Sequence, residues 1–387
     1  MSAANSAAQS AESAVASGNA AIADAQVKAD RVANAIFTIG YCAENNNAAS
    51  LIVSASVYVT AGVQHVDATN FSAINSALDS ISLDGTALNT VPKIQAVVDA
   101  YNAILAVANG IYNGINPTQT QYATLGIAGV DNSDKEHLLG DVLDVKQPSD
   151  INRIDALQAL ADDVAAVMSA TPAQKSQVEA LGIRFRAFTS NALSAIAAET
   201  VASNKDTASE LQDIVNTAIR DAISHLDSAA LAALSTDELA AFNSADIAAL
   251  TTDAIRGLSS AQVHALTSSA LSGLSSSQLG ALTSNAFTGL TSADLEALTS
   301  SALAGLTTDQ LSTLDTSEIQ ALGTDIANLS TAAMHGLTSD QLGALTTAQI
   351  AGFDSSDVDA LTSSALSGLR SDQLNALSSE AFTGMNT

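Results

Sequence analysis

An apolar residue returns at every eighth position through the second half of the chain. The series starts at Leu226 and runs to Leu322, loses one residue there, resumes at Leu329 and continues to Met385. Strict self-similarity at a fixed period is the sequence signature of a repeat architecture. The pattern therefore predicts a solenoid over residues 226–387, in which each repeat is stabilised by its neighbours.

Each eight-residue unit, or octad, reads Leu, Ser/Thr, Ser/Thr, any, any, apolar, any, small, and the octad that starts at Leu337 is a clear copy. A continuous helix is excluded because eight residues overshoot two helical turns, so the apolar stripe would drift by roughly 80° per octad. Thr338 and Gln341 form a capping box, and Leu337 with Leu342 forms a hydrophobic staple; both are start signals of a helix. The octad therefore predicts one short, capped helix that needs packing to be stable.

Two types of octad alternate, so the sequence repeat is 16 residues long. One type ends in Gly and carries Ala at its fifth position, with Gln349 as the exception; the other ends in Ala and carries Gln, Asp or Glu there. We expect the Gly to provide a left-handed exit from its helix, and the helix with Gln or Asp to face water. Each 16-residue unit is then one helix–turn–helix coil, and the residue missing between Leu322 and Leu329 produces a local kink.

A longer and more degenerate repeat precedes the octads. Its signature is Tyr or Val, then Gly four residues later, then a branched residue, and it occurs at Tyr58–Val63, Tyr122–Ile127 and Val178–Ile183. A helical string that contains Gln follows each signature, with the amides at Gln95, Gln158 and Gln212. Residues 49–225 are therefore predicted to form three helical modules of two or three helices each, near 49–116, 117–170 and 171–225.

Residues 1–48 begin as an Ala, Ser and Asn tract with an apolar stripe at helical spacing. The stripe extends from about Glu12 to Phe37 and contains Val15, Ile22, Ala29, Val32 and Ile36. Two interpretations remain open: a first helix docked on its own chain, or an assembly arm that packs on a neighbouring copy. The fold predicted for the whole chain is all-α, with helical N-terminal modules followed by an α-solenoid of short helices.

Composition narrows the possible functions. The chain of 387 residues has a net charge of −27, and aromatic residues make up only 3% of it, with no Trp. Such an acidic balance argues against nucleic-acid binding and suits a secreted protein or a surface polymer bridged by cations. The apolar run Leu51–Val63 is too short and too rich in Ser to span a bilayer, and Met1–Lys28 lacks the basic and apolar regions of a signal peptide.

Candidate chemistry is sparse in this sequence. The five His residues have no ligand spacing, and no nucleophile elbow or phosphate-binding loop occurs, so we expect no enzymatic activity. Cys42 is the only Cys, which excludes an internal disulfide. One oxygen-rich loop offers Asp131, Asp134 and Glu136 as candidate calcium ligands. It lacks the Gly and Glu of an EF-hand loop, and its alternative interpretation is an N-cap with an acidic first helical turn.

Three features carry a resemblance to a known class of proteins. They are the string Val98–Leu105, the Leu-Gly-Ile and Gly-Val module starts, and the Leu-Thr-x-x-Gln-Leu octads. Together they resemble repetitive secreted surface proteins of Gram-negative bacteria, of the adhesin-like and surface-layer-like kinds, over most of residues 50–387. The resemblance implies an exported, non-enzymatic role at the cell surface. The chain departs from that class because it lacks Gly-Gly-x-Gly-x-Asp calcium nonapeptides.

These observations predict an extracellular structural protein that assembles with its own copies into a filament, sheath or surface layer. The octad series ends at Met385–Thr387 without a polar capping repeat, from which we expect head-to-tail contact between copies. The alternative is an adhesin that binds a surface or a glycan through one face of the solenoid. No nucleic-acid partner, transmembrane segment or cofactor is expected, apart from the calcium candidate.

Overall fold

The computed structural model describes residues 2–45, 53–79, 88–110, 115–186, 188–202 and 205–386. Every regular element among them is a helix, which confirms the all-α prediction. The chain separates into two compact units: unit 1 is Met1–Arg184 with Leu193–Ile214, and unit 2 is Phe185–Ala192 with Val215–Thr387. The module end predicted at residue 225 stays a prediction, and the boundary predicted at residues 48–49 lies outside the described residues.

Unit 1 begins with the long helix α1 (Ser2–Asn45), and the later helices come in groups of three. Each group has a short helix, a middle helix and a longer one. The groups are α2 (Ala55–Ala61), α3 (Phe71–Leu78) and α4 (Val91–Ala108); α5 (Gln119–Thr124), α6 (Ser133–Asp144) and α7 (Ile154–Val167), with the 3₁₀ helix η1 (Pro148–Asp150) between the last two; and α8 (Lys175–Ala180), α9 (Thr189–Ala202) and α10 (Ala208–Ser224). The division between the units falls inside α9 and α10.

Helix α1 is longer than the sequence stripe predicted, and only its last part is covered by the unit. Ala35, Ile39 and Ala43 are buried where α1 contacts α2 and α3. From residue 5 to residue 34, every side chain is exposed except that of Val32, which is half-buried. Of the two interpretations of this segment, docking on its own chain therefore applies to the C-terminal part of α1 alone.

The three sequence signatures of unit 1 share one local structure. Each ends a short helix in a Gly with positive φ, at 87° for Gly62, 75° for Gly126 and 87° for Gly182. Only Gly adopts this left-handed conformation without strain. The chain reverses there, and the residue two positions after each Gly is then held by the Gln of the third helix in its group, as described below.

Unit 2 contains most of the short helices that the octads predict. After α11 (Ser228–Ala232) and α12 (Thr236–Ala240), helices of six and four residues alternate: α13 (Ser244–Ala249), α14 (Thr252–Ile255), α15 (Ser260–Ala265), α16 (Ser268–Leu271), α17 (Ser276–Ala281), α18 (Ser284–Phe287), α19 (Ser292–Ala297) and α20 (Ser300–Leu303). The predicted capping box is present at Thr338 and Gln341. The 16-residue sequence repeat is thus visible as a long helix followed by a short one.

The second half of unit 2 continues the series after one irregular step. Its elements are α21 (Thr308–Thr313), α22 (Thr316–Ala321), the 3₁₀ helix η2 (Gly323–Asn328), α23 (Thr331–Met334), α24 (Ser339–Ala344), α25 (Thr347–Ile350), α26 (Ser355–Ala360), α27 (Ser363–Leu366), α28 (Ser371–Ala376) and the 3₁₀ helix η3 (Ala381–Asn386). The missing residue falls at η2, where Gly323 has a φ of 57°. The predicted irregularity therefore covers η2 and the helix before it, since α21 and α22 both have six residues, and the alternation of six and four residues resumes at α23.

One turn of the solenoid is longer than the 16-residue coil that the sequence predicted. A helix contacts the third helix after it, as α13 contacts α16 and α14 contacts α17. Side chains also reach backbone 28 and 31 residues away, as Gln278 does to Leu250 and Ile247. A turn therefore takes about three and a half octads. The prediction was wrong because the octad fixes where the helices break but not the angle at each break.

The glycines that end alternate octads have a different role from the predicted left-handed exit. None of Gly257, Gly273, Gly289, Gly305 and Gly368 has positive φ. A Cβ built on any of them would overlap a backbone carbonyl of the preceding turn, which is that of Ser276 in the case of Gly305. Glycine is needed here because two turns approach backbone to backbone, a position at which any side chain would separate them.

Candidate functional site

A row of buried glutamine side chains joins consecutive turns of unit 2. In Gln310, Oε1 accepts a hydrogen bond from the backbone N–H of Thr307 at 3.0 Å, which completes the capping box of its own helix. Its Nε2 donates to the carbonyl oxygens of Leu279 and Leu282, both at 2.8 Å, one turn earlier. Only 1% of Gln310 is exposed. One amide therefore caps a helix and binds the turn beneath it.

The same arrangement recurs at position five of the other octads that carry Gln; we call this row the glutamine ladder. Each Oε1 accepts from the N-cap N–H three residues earlier, and each Nε2 donates to two or three carbonyl oxygens of the preceding turn. Its members are Gln262, Gln278, Gln310, Gln341, Gln349 and Gln373. The prediction that the helix bearing Gln faces water was wrong at this residue, because the amide has partners on both sides and can be buried without penalty.

Aspartate replaces Gln at three positions of the row, and at two of them it also binds a side chain outside its own helix. Asp294 Oδ1 accepts from Ser268 Oγ at 2.7 Å, across the turn boundary. Asp246 lies 3.0 Å from the Arg186 guanidinium and is completely buried. At Asp357, burial raises the pKa of the carboxyl above its ordinary value, the hydrogen bond from the Asp354 N–H lowers it, and the Asp354 charge raises it. A short carboxylate cannot donate to a carbonyl, so these rungs need another group.

Arg186 extends the ladder to the first turn of unit 2. Its Nη2 donates to Asp246, and its Nη1 donates to Asn216 Oδ1 at 3.0 Å. Asn216 and Asp246 are 30 residues apart, the spacing that a Gln spans elsewhere in the ladder. A guanidinium has several donors in a fixed plane, so it bridges the two acceptors at a position of the row where no Gln is present. No periodic signal in the sequence marks Arg186, which lies outside the octads.

Unit 1 has its own version of the Gln contact, which we call the glutamine clamp. Gln95 Oε1 accepts from the Gln64 N–H at 2.8 Å, and its Nε2 donates to the Gln64 carbonyl at 3.2 Å. Gln158 binds both backbone groups of Ala128, and Gln212 binds both of Arg184, in the same way. Each clamp holds the segment that follows a left-handed Gly. The Gln residues of the helical strings therefore fix the turns of unit 1.

A polar groove of about 770 Å³ lies against four stacked segments of unit 2, α21, α23, α26 and η3. Two contacts between turns join residues of its lining: Thr308 Oγ1 donates to the Ala332 carbonyl, and His335 Nδ1 lies 2.6 Å from the Ala360 carbonyl. The remaining lining is small and polar, apart from the backbone of Gly384, and comprises Thr331, Ser355, Ser356, Asp359 and Thr383. The sequence predicted a surface position for His335 but did not predict a groove, because residues from four separate octads form it.

The three calcium candidates lie at the start of α6 in unit 1. Asp131 forms an ion pair with Lys135 at 2.7 Å, and Glu136 accepts the Gln119 N–H at 3.0 Å. Asp134 accepts a hydrogen bond from Ser133 Oγ, and Asn132 caps the helix. Over the part of the chain that the structure describes, no group of three His, Cys, Asp or Glu side chains is placed to hold a metal ion. The geometry agrees with an N-cap and an acidic first turn, and calcium binding stays a prediction.

Part of unit 2 is similar to a known protein family. Residues 239–272, 287–324 and 324–355 each match the ALTTAQ repeat family. No curated protein and no solved structure matches the chain. Within the described ranges, no helix has both the length and the hydropathy needed to cross a bilayer. The chain is therefore a repeat protein with a helical solenoid in unit 2, similar to ALTTAQ repeats over these three stretches.

Proposed function

We propose that the protein is an extracellular structural component that assembles with its own copies into a filament, sheath or surface layer on a bacterial cell, without enzymatic activity. The observation that carries the proposal is the glutamine ladder. Each ladder amide donates to backbone carbonyl oxygens of the preceding turn, so that the solenoid is held along its length by buried hydrogen bonds. Such a continuous stack suits a mechanical role, and the resemblance to secreted surface proteins supports the location.

Charge sets the conditions of assembly. With a net charge of −27, copies repel one another over the Debye length, about 8 Å at physiological salt. Sodium chloride screens that repulsion, and divalent cations also bridge carboxylates. We therefore expect assembly to increase with the concentration of either salt. Calcium should promote assembly at lower concentrations than sodium does.

The test is light scattering of the full chain, titrated with sodium chloride, magnesium chloride and calcium chloride, followed by negative-stain microscopy of the same samples. We expect polymers of regular width above a threshold concentration of calcium. Removal of calcium with a chelator should disperse them, since bridging is reversible. A protein that forms no regular polymer in any of the three salts would remove the support for a filament or a layer.

The polar groove favours a second candidate function, an adhesin that binds a glycan or another polar surface. Hydroxyl groups, an imidazole and a carboxylate line the groove, and these groups form hydrogen bonds with sugar hydroxyls. Binding to a panel of polysaccharides should then be weakened by His335→Ala and unaffected by His264→Ala, a substitution at the same octad position outside the groove. Equal binding by both variants would exclude the groove as the binding site.

A further inference from the structure

Helix α1 carries an apolar seam that the rest of unit 1 leaves open. The seam has two rows with a spacing of seven residues, at 8, 15, 22 and 29 and at 11, 18, 25 and 32, and it contains only Ala, Val, Ile and Gly. Val15 is 63% exposed and Ile22 is 69% exposed. Two apolar rows three and four residues apart are the a and d positions of a coiled coil. The face is thus built for another helix.

The same seam is already an interface at its other end. Continued by seven residues per step, its rows reach Ile39 and Ala43, both buried against the unit. A straight helix drifts by about 20° per heptad from a seven-residue repeat, so the pattern stays in register only against a partner that supercoils with it. The exposed stretch over residues 8–32 therefore continues a face that is packed at its other end.

Side-chain size along the seam indicates that the partner is a second copy in the antiparallel direction. When two copies are aligned so that the numbers of facing residues add to 40, each large residue meets a small one: Ile22 faces Gly18, Val15 faces Ala25, and Val32 faces Ala8. Alternation of large and small residues across facing positions fills a core evenly. A parallel pair would place Ile22 on Ile22 and Gly18 on Gly18, with crowded layers next to empty ones.

Charge also favours contact at this helix. Residues 8–32, the stretch that bears the exposed seam, carry three carboxylates, Glu12, Asp24 and Asp30, and two cations, Lys28 and Arg31. None of the five lies on the seam. In a chain whose net charge is −27, α1 is therefore a nearly neutral surface where the general repulsion between copies is weakest.

We propose that residues 8–32 of α1 pair with the same residues of a second copy to form an antiparallel two-stranded coiled coil. The contact is isologous, because each copy contributes the same patch, so it closes as a dimer. It goes beyond the proposed function by specifying the unit that assembles. A filament or layer then needs a further contact elsewhere on the chain.

The first experiment is sedimentation of the full chain against Val15→Asp/Ile22→Asp and against Val27→Asp. Val27 is exposed on the same helix but lies off the seam, so it is the matched control. We expect the intact chain and Val27→Asp to sediment at twice the chain mass of 39.0 kDa. The double variant should dissociate with a constant raised at least about 100-fold, because each Asp would be buried at the seam. Circular dichroism verifies that the variants remain folded.

The second experiment tests direction, with Ala11→Cys and Ala29→Cys as separate proteins in a Cys42→Ala background. In the antiparallel register, positions 11 and 29 face each other, and neither faces its own copy. Oxidation of the mixture should therefore give a mixed disulfide dimer, while each variant alone gives none. Disulfide dimers of either variant alone would overturn the antiparallel arrangement, and a monomeric intact chain would overturn the pairing.

The two proposals fail in distinguishable ways. A dimer that never grows in calcium supports the coiled coil and contradicts the filament. If the double variant forms regular polymers to the same extent as the intact chain, the coiled coil is not the building unit. The filament proposal would still be supported.

Discussion

Units 1 and 2 both use a Gln side chain to bind backbone at a similar separation along the chain, but the hydrogen bonds are arranged differently. In unit 1 the oxygen and the nitrogen of the Gln amide both bind the backbone of one exposed residue. Gln95 binds Gln64 in this way. In unit 2 the oxygen stays within its own helix and the nitrogen reaches back one turn, as in Gln310. The clamp closes a single loop. The ladder joins each turn to the next, so it can be extended indefinitely by adding octads.

The largest expected effect is at Asp246, the position of the row that is paired with Arg186. Arg186→Met leaves Asp246 buried and unpaired, which should destabilise unit 2 by about 3–5 kcal/mol. The second substitution Asp246→Asn should restore most of that, because Asn keeps the acceptor and removes the charge. Chemical denaturation of the single and the double variant, monitored by hydrogen exchange of residues 215–386, measures the loss of stability and its recovery.

The matched control for Arg186 is Arg153→Met in unit 1. The Arg153–Asp155 pair is exposed on both sides, and exposed pairs contribute little. We expect no measurable change in stability. If Arg153→Met and Arg186→Met lower the free energy of unfolding equally, the burial of Asp246 does not determine the stability of the first turn of unit 2.

A direct comparison of ladder and clamp follows from Gln310→Ala and Gln158→Ala. Loss of Gln310 leaves a cap N–H and a buried carbonyl unsatisfied, and it should lower the free energy of unfolding by about 2–4 kcal/mol. Loss of Gln158, which is half-buried, should cost about 1 kcal/mol because water replaces the amide. Thermal melts of the two variants measure the difference. Equal shifts would mean that the ladder is no stronger than the clamp.

Glycine is needed for different reasons in the two units, and substitution by Asn distinguishes the two reasons. At Gly62 the requirement is a positive φ of 87° in open space, which Asn tolerates, so Gly62→Asn should be nearly neutral and Gly62→Ala should cost about 1 kcal/mol. At Gly305 the requirement is space, so Gly305→Ala should cost about 1–3 kcal/mol and Gly305→Asn more. Opposite rankings of Ala and Asn at the two sites are the expected outcome of melting experiments.

The smallest effect concerns Asp357 and depends on pH. Its folded pKa is raised by burial, so the ionised form is disfavoured in the folded state, and the group reduces stability at neutral pH. Asp357→Asn should therefore be more stable than the intact chain at pH 7. Its advantage should shrink as the pH falls through the raised pKa and vanish below the ordinary value of 3.8. A constant difference across that window would contradict the assignment.

The sequence predicted the local structure of unit 2 well. Capping boxes such as Thr338 with Gln341, the helix breaks and the two-octad alternation all follow from rules that act within eight residues. The turn length could not be predicted in this way, because it depends on small angles at each break that no single residue type determines. In unit 1, the left-handed Gly residues and the Gln strings were both visible in the sequence, although their direct contact was not.

Position five shows why the candidate site was missed. A Gln three residues after a Thr is fully explained by the capping box, so nothing in the octad suggested that its other half is buried. The alternation of Gln with Ala at that position was the available signal, since a surface position would vary more freely. Arg186 carried no signal at all, because its partner Asp246 lies 60 residues further along the chain.

The mismatch between the 16-residue sequence unit and the turn of about 28 residues also affects how such a chain changes through duplication. One added unit advances the structure by a little more than half a turn, so everything after the insertion points to nearly the opposite side. Two added units bring it back close to its original direction. Relatives that differ in length by an odd number of units should therefore present different faces to the same neighbour, even where every octad is identical.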